Sequence, residues 1–303
     1  MQSDSKQYIK NLLDKFAPIE PLPTGVEPRI TKDKTIKALL FDVYGTLLIS
    51  SSGDVDQTEI SETNLKLALD AAEIKITDGV QNVLEHILKD FEYTIRICHE
   101  AARKNKIDYP EIDILSVWKI VLIHSRRKGL IRFTDDVDIM LFTCVFEFLS
   151  NKVYPMPGLK EIVAKLRKLY MPLGIVSNAQ FYTPVLMNYY LHDEINLTEK
   201  VKGFDQELTV LSYKFGKGKP DHTLYEELIP TLKRKYGIVP SEVLFIGNDM
   251  LKDIFASKQV GFKTVLFAGD QRSLRLREDD TRTADLQPDF IVTELPQILT
   301  ILS

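Results

Sequence analysis

The 303-residue sequence predicts an α/β fold: a parallel sheet core flanked by helices, with an all-helical domain inserted after the first strand. Three observations predict it. Short, nearly continuous apolar runs recur along the chain. Helical patterns of a dozen or so residues separate the later runs, and about 90 residues behind the first run have hardly any strand character. Apolar runs without alternation are what strands covered on both faces require. Strands alternating with helices build right-handed βαβ units, the Rossmann-like arrangement.

Taken in order, residues 5–16 read as a short amphipathic helix, with Ile9, Leu12, Leu13 and Phe16 near helical spacing. "APIEPLPTGVEPRI" follows, an extended tether with four prolines in 14 residues. The strand runs are "ALLFDV" (38–43), "PLGIVSN" (172–178), "EVLFIGND" (242–249), "KTVLFAG" (263–269) and "DFIVTEL" (289–295). Helices are expected over about 158–170, 180–192, 221–236 and 250–260, with Gly237 and Gly261 as stops. The interval 58–150 holds four helical patterns, 58–73, 78–105, 111–129 and 134–150. The apolar stripe "IMLFTCVFEFL" (139–149) reads as that insert's own core. Three units are thus expected: an N-terminal helix and tether (1–35), an α/β core (36–57 and 151–303) and a helical insert (58–150). The mixed-charge stretch 269–289 reads as an exposed loop with a short helix.

Bulk properties limit the function classes. The chain is 44% hydrophobic and 27% charged, an ordinary globular balance. A net charge of −4 gives no sign of a nucleic-acid partner. No uncharged apolar run nears the roughly 18 residues of a membrane span, and the N-terminus has no signal-peptide pattern. Location is therefore expected to be cytoplasmic, with no membrane partner. Two cysteines, Cys98 and Cys144, read as buried apolar residues, not a disulfide framework. The five histidines have no zinc spacing, and "FGKGKP" lacks the P-loop frame. Oligomeric state stays open.

Open parallel sheets bind ligands beyond the carboxyl ends of their strands. Asp42 ends the first strand, Ser177-Asn178 the second and Asp249 the strand before "GND", with Asp253 one helical turn later. Lys219 precedes Pro220 in the loop between. Each alone has a bland reading as a cap, a turn or a solvated lysine. Together they bring carboxylates, a hydroxyl and a lysine to one rim, where a lysine or a hard cation such as Mg²⁺ relieves the repulsion.

"FDVYGTL", "IVSNA", "KGKP" and "IGNDMLKDI" resemble, in order and spacing, the four motifs of the haloacid dehalogenase (HAD) superfamily, over about residues 36–295. The helical insert is similar to that family's cap. The resemblance implies a hydrolase in which Asp42 is the nucleophile, Thr46 orients groups near it, and Ser177 (with Asn178 beside it) donates to the transferring group. It further implies that Lys219 balances charge, and that Asp42, the Tyr44 carbonyl and Asp249 or Asp253 hold Mg²⁺. The substrate would be a small anionic molecule, most simply a phosphorylated metabolite.

Tyr44 divides the readings. The phosphatases of the family usually carry a second Asp two residues after the nucleophile, as acid and then base. Tyrosine, with an ordinary pKa near 10, suits the dehalogenase branch, where the leaving halide needs no proton. Against that branch stand the acid pair of motif four and the absence of any arginine between Arg29 and Arg96. Arg126, Arg127 or Arg132 could replace the missing clamp. A metal-dependent phosphatase, a metal-independent dehalogenase-like hydrolase and a catalytically weak binding protein all stay open at this point.

Overall fold

A computed structural model describes residues 2–51 and 60–303. The strands are β1 (Ala38–Phe41), β2 (Leu48–Ser50), β3 (Lys75–Ile76), β4 (Ile131–Arg132), β5 (Val153–Pro155), β6 (Leu173–Ser177), β7 (Thr209–Leu211), β8 (Val243–Gly247), β9 (Lys263–Phe267) and β10 (Phe290–Val292). Six of them form one parallel sheet in the order β10-β9-β8-β1-β6-β7. β1 lies between β6 and β8, with Leu40 opposite both Gly174 and Phe245. Strand order reverses at β1, so the carboxyl ends of β1, β6 and β8 surround the switch point.

The non-alternating pattern has its predicted cause. Along β1, Leu39 and Phe41 enter one apolar cluster while Ala38 and Leu40 enter a second on the opposite face. All four are fully buried. β8 divides likewise, with Leu244 and Ile246 on one face and Val243 and Phe245 on the other.

Among the described residues, the α-helices that precede β7 are α1 (Gln2–Leu13), α2 (Glu62–Ala71), α3 (Val83–Lys104), α4 (Ile114–Arg127), α5 (Ile139–Ser150), α6 (Leu159–Lys168) and α7 (Thr183–His192). Four of them, α2–α5, lie between β2 and β5 in the chain, where the helical insert was expected. Residues 58 and 59, at the start of its first expected helix, lie outside the described residues. Trp118 fills the centre of this bundle. It stacks on Phe91 at 4.1 Å and meets Phe142 and Phe146 edge-on at 4.9 and 4.7 Å. From Leu141 to Phe148 every residue of α5 is buried, because the bundle covers one side and α1 another. α1 is tied down on both units: Ser5 Oγ donates to Asp138 at 2.6 Å, and Lys10 pairs with Asp193 beyond α7. The proline-rich tether then runs to the edge strand, where Arg29 and Ile291 exchange backbone bonds of 2.9 and 3.0 Å. An otherwise open sheet edge is covered in this way.

The structure departs from the sequence reading at several points. β7, a sixth sheet strand, was not foreseen, nor were the antiparallel pairs β2–β5 and β3–β4, which are only two or three residues long. The expected helix 221–236 is broken into Thr223–Glu226, Ile229–Thr231 and Leu232–Tyr236; Pro230 removes a helix donor there. Stretch 269–289 has turns but no helix, and Asp270, Ser273 and Thr283 within it are buried. Cys144 is buried as expected, whereas Cys98 is partly exposed. Among the described residues no helix is long and apolar enough to cross a membrane.

Candidate active site

The residues at the strand ends converge as their positions in the sheet dictate. A cavity of about 100 Å³ is lined by Asp42, Tyr44, Asn178, Lys219, Asn248, Asp249 and Asp253, together with residues from other segments. Lys219 is its centre of charge. Its Nζ lies 2.6 Å from Asp42 Oδ1 and 2.5 Å from Asp253 Oδ1, and its side chain is only 3% exposed. Burial by itself would lower the lysine's pKa, but Asp253 and Asp42 outweigh it and hold the ammonium above its ordinary range. Burial acts on Asp253 in the same sense as the neighbouring carboxylates and pushes its pKa up, against the pull of Lys219.

Asn178 lines the cavity and also holds the Lys219 backbone. Its Oδ1 accepts from the Lys219 backbone N–H at 2.7 Å, and its Nδ2 reaches the Lys219 carbonyl at 3.4 Å. Thr46 is fully buried and donates to Asn248 Oδ1 at 3.1 Å, while Asn248 Nδ2 donates to the Ser273 carbonyl at 2.6 Å. Both ends of the Asn248 amide are therefore occupied. Gly45, between Tyr44 and Thr46, has φ +85°, and a Cβ there would stand 2.6 Å from Asn248 and 2.7 Å from Ser273. Only glycine fits this turn.

Two oxygens stand out by their lack of partners. Ser177 Oγ is buried and has no hydrogen-bond partner. Asp42 accepts from Lys219 through Oδ1 alone, and no described residue donates to Oδ2. Buried polar atoms are rarely left unpaired, and those that are mark a ligand or a water.

Tyr44 turns its hydroxyl to Thr183 Oγ1 at 2.9 Å. Burial drives its pKa above the ordinary tyrosine range, against the bond to Thr183, so the phenol stays protonated at neutral pH. Asp249 caps the helix that begins at Met250, accepting from Leu251 N and Lys252 N at 2.8 and 3.0 Å. Burial would raise its pKa, but Arg277 and these amides overcome that and keep it ionised.

The arginines considered as a clamp are elsewhere. Arg126 pairs with Asp135 at 2.8 Å, Arg132 approaches Asp78 at 3.6 Å, and neither these nor Arg127 lines the cavity. The cavity wall instead contains Glu111, Gln180, Lys252, Ser273 and Arg275, none of which the sequence reading singled out. Gln180 could have been suspected, two residues after Asn178. Glu111 has no sequence signal at all. It comes from the segment before α4 and joins the two units: Gln180 Nε2 donates to Glu111 Oε1 at 3.1 Å and Ser212 Oγ to Oε2 at 2.8 Å. Backbone bonds between Glu111 and Gly216 (3.1 Å) and between Gly218 and Tyr109 (2.8 Å) close the seam.

A parallel sheet that gathers a lysine between two acids at its switch point is that of a Rossmann-like α/β hydrolase. The chain belongs to the haloacid dehalogenase-like hydrolase family, whose model matches residues 36–261. It is 24% identical over 274 residues to the glyceraldehyde 3-phosphate phosphatase of Pyrococcus furiosus, covering 89% of this chain and 94% of that protein. To the phosphatase of the same name from Pyrococcus abyssi it is 22% identical over 218 residues, 71% of this chain and 79% of that one. The fold is similar to that of a 2-haloacid dehalogenase from Pseudomonas syringae pv. Tomato, with a TM-score of 0.54, 18% identity, and coverage of 88% of this chain and 98% of that one.

Proposed function

We propose that this hydrolase is a magnesium-dependent phosphatase of a small phosphorylated metabolite, with Asp42 as its nucleophile. The observation that carries the reading is the Asp42 carboxylate: Lys219 holds one oxygen at 2.6 Å, and the other has no donor among the described residues. A carboxylate is ionised at neutral pH and attacks without a base to activate it. Two relatives named as phosphatases of a three-carbon phosphate support the substrate class.

In this reading Asp42 Oδ2 attacks phosphorus, the bond to the leaving-group oxygen breaks and that oxygen takes a proton from solvent, giving an aspartyl-phosphate. Water then attacks the same phosphorus and gives up a proton to solvent, the acyl-phosphate P–O bond breaks, Asp42 is regenerated and phosphate is released. Lys219 offsets the charge on Asp42 and on the transferring group, and the unpartnered Ser177 hydroxyl donates to a phosphoryl oxygen. Asn178 fixes Lys219 by its backbone. The segment that carries Glu111 would form the wall that limits water access once substrate is bound.

The donors fit magnesium in kind. Asp42, Asp249 and the Tyr44 carbonyl would supply hard oxygen ligands from residues that line the cavity, while Asp253 bonds Lys219. Among the described residues no three acid, histidine or cysteine side chains gather closely enough to hold an ion. Magnesium does not require that, because it commonly takes one or two carboxylates and completes its shell with water and substrate phosphate. When bound, it shields Asp42 from an anionic substrate and offsets phosphoryl charge.

Release of p-nitrophenol from p-nitrophenyl phosphate tests the reading, with Mg²⁺, with EDTA and with Asp42→Asn. Turnover that needs the metal and is lost in the variant is expected; turnover that survives Asp42→Asn would refute it. Tyr44 supports a second reading, hydrolysis of a carbon–halogen bond, because its protonated hydroxyl is tied to Thr183 and cannot act as a base. Chloride release from 2-chloropropionate without metal is the corresponding test.

A further inference from the structure

The mixed-charge loop between β9 and β10 reaches the site through its backbone. Arg275 N donates to the Asn248 carbonyl at 3.0 Å and Met250 N donates to the Arg275 carbonyl at 2.9 Å, so the loop runs alongside motif four. Two residues on, Arg277 places Nη2 2.6 Å from Asp249 Oδ2 and Nε 3.2 Å from both carboxylate oxygens. The Asp249 side chain is 6% exposed and that of Arg277 is 33% exposed. Arg277 adopts φ +54°, a conformation that costs a non-glycine residue of order 1 kcal/mol or more. Its carbonyl is held there by Thr283 Oγ1 at 2.6 Å. The loop is therefore shaped to deliver this guanidinium to this acid.

We propose that Arg277 is an internal counter-ion that competes with the divalent cation for Asp249, so that cation binding and release of Arg277 are coupled. The inference rests on the magnesium reading above. A forked guanidinium and a hard cation draw on the same carboxylate lone pairs. Arg277 offsets one negative charge at the carboxylate it shares with the site, and its departure uncovers that charge, so the attraction for a dication rises. Arg277 also keeps Asp249 ionised and in place while the cation is absent.

The test is Mg²⁺ binding followed by titration calorimetry on wild type, Arg277→Gln, Arg277→Lys and Arg282→Gln, each checked for folding by thermal melting. Arg282→Gln removes another charge of the same loop, one that pairs with Asp280 at 2.7 Å and does not line the cavity, and so measures the general effect of net charge. The expected result is that Arg277→Gln binds Mg²⁺ roughly two- to five-fold more tightly than wild type, the scale of a partly exposed ion pair. Arg277→Lys should fall between, and Arg282→Gln should change affinity much less. Equal affinity in wild type and Arg277→Gln, weaker affinity in the variant, or an equal gain in Arg282→Gln would overturn the proposal while leaving the phosphatase reading intact. Absence of Mg²⁺ binding in every protein would overturn it together with the metal assignment, and p-nitrophenyl phosphate turnover reports separately on the phosphatase.

Discussion

Ser177 ends β6 with a buried hydroxyl that has no partner in the folded chain. An unsatisfied buried hydroxyl lowers stability, and the proposed mechanism gives this one a partner in the substrate. Ser177→Ala is expected to melt at the same temperature as wild type or higher, and to turn over p-nitrophenyl phosphate roughly 100-fold more slowly, the scale of one lost donor to a developing charge. A variant with wild-type turnover would remove Ser177 from the mechanism. Glu147 is a different case, a carboxyl buried between α4, α5 and the turn before α7. Trp118 Nε1 and Tyr182 Oη donate to its two oxygens at 3.3 Å each. Burial pushes its pKa up to about 7, with those donors opposing. The folded protein thus holds this proton more tightly than the unfolded chain does, so stability falls as pH rises from the ordinary carboxylate range to 7 and levels off above it. Glu147→Gln removes that slope, so its stability relative to wild type rises by roughly 2–3 kcal/mol between pH 5 and pH 8. Parallel melting-temperature profiles for variant and wild type between pH 5 and 8 would contradict the assignment.

At the scale of elements, the strands that carry the site were legible because their burial on both faces leaves an unbroken apolar run. β7 was not, since an edge strand of three residues has too little pattern to separate it from a loop. The 269–289 segment misled for a related reason. Its arginines and acids read as solvated, yet they pair with each other and with motif four, and composition does not show pairing. Glycine is as informative as the apolar runs. Gly174 in β6 faces the β7 side so closely that a Cβ would lie 2.2 Å from the Leu208 carbonyl and 2.6 Å from Leu40. Backbone must move to admit it. Gly174→Ala is expected to lose ~3 kcal/mol of stability in urea unfolding, and a loss below about 1 kcal/mol would show that β6 and its neighbour separate more readily than their packing implies.

Across the whole molecule, α1 and the tether add to the seam made by Glu111, α1 packing on α5 and reaching Asp193 behind α7 while the tether pairs with the sheet edge. The helices α2–α5 were visible in the sequence as missing strand character, and the candidate site as polar residues at strand ends. The residues that complete the cavity were not visible, because Glu111 and Arg275 reach it only through folding of distant loops, as Arg277 reaches Asp249. The same limit applies to motif four, where spacing left Asp249 and Asp253 equivalent. The fold separates them, giving Asp253 to Lys219 and Asp249 to Arg277. The central claim is that Asp42 becomes covalently phosphorylated. Rapid acid quenching of wild type during turnover of radiolabelled p-nitrophenyl phosphate, followed by peptide mapping, tests it most directly. The account predicts hydroxylamine-labile label on the peptide that contains Asp42 and none in Asp42→Asn; phosphate release with no labelled protein, or label on another residue, would contradict it.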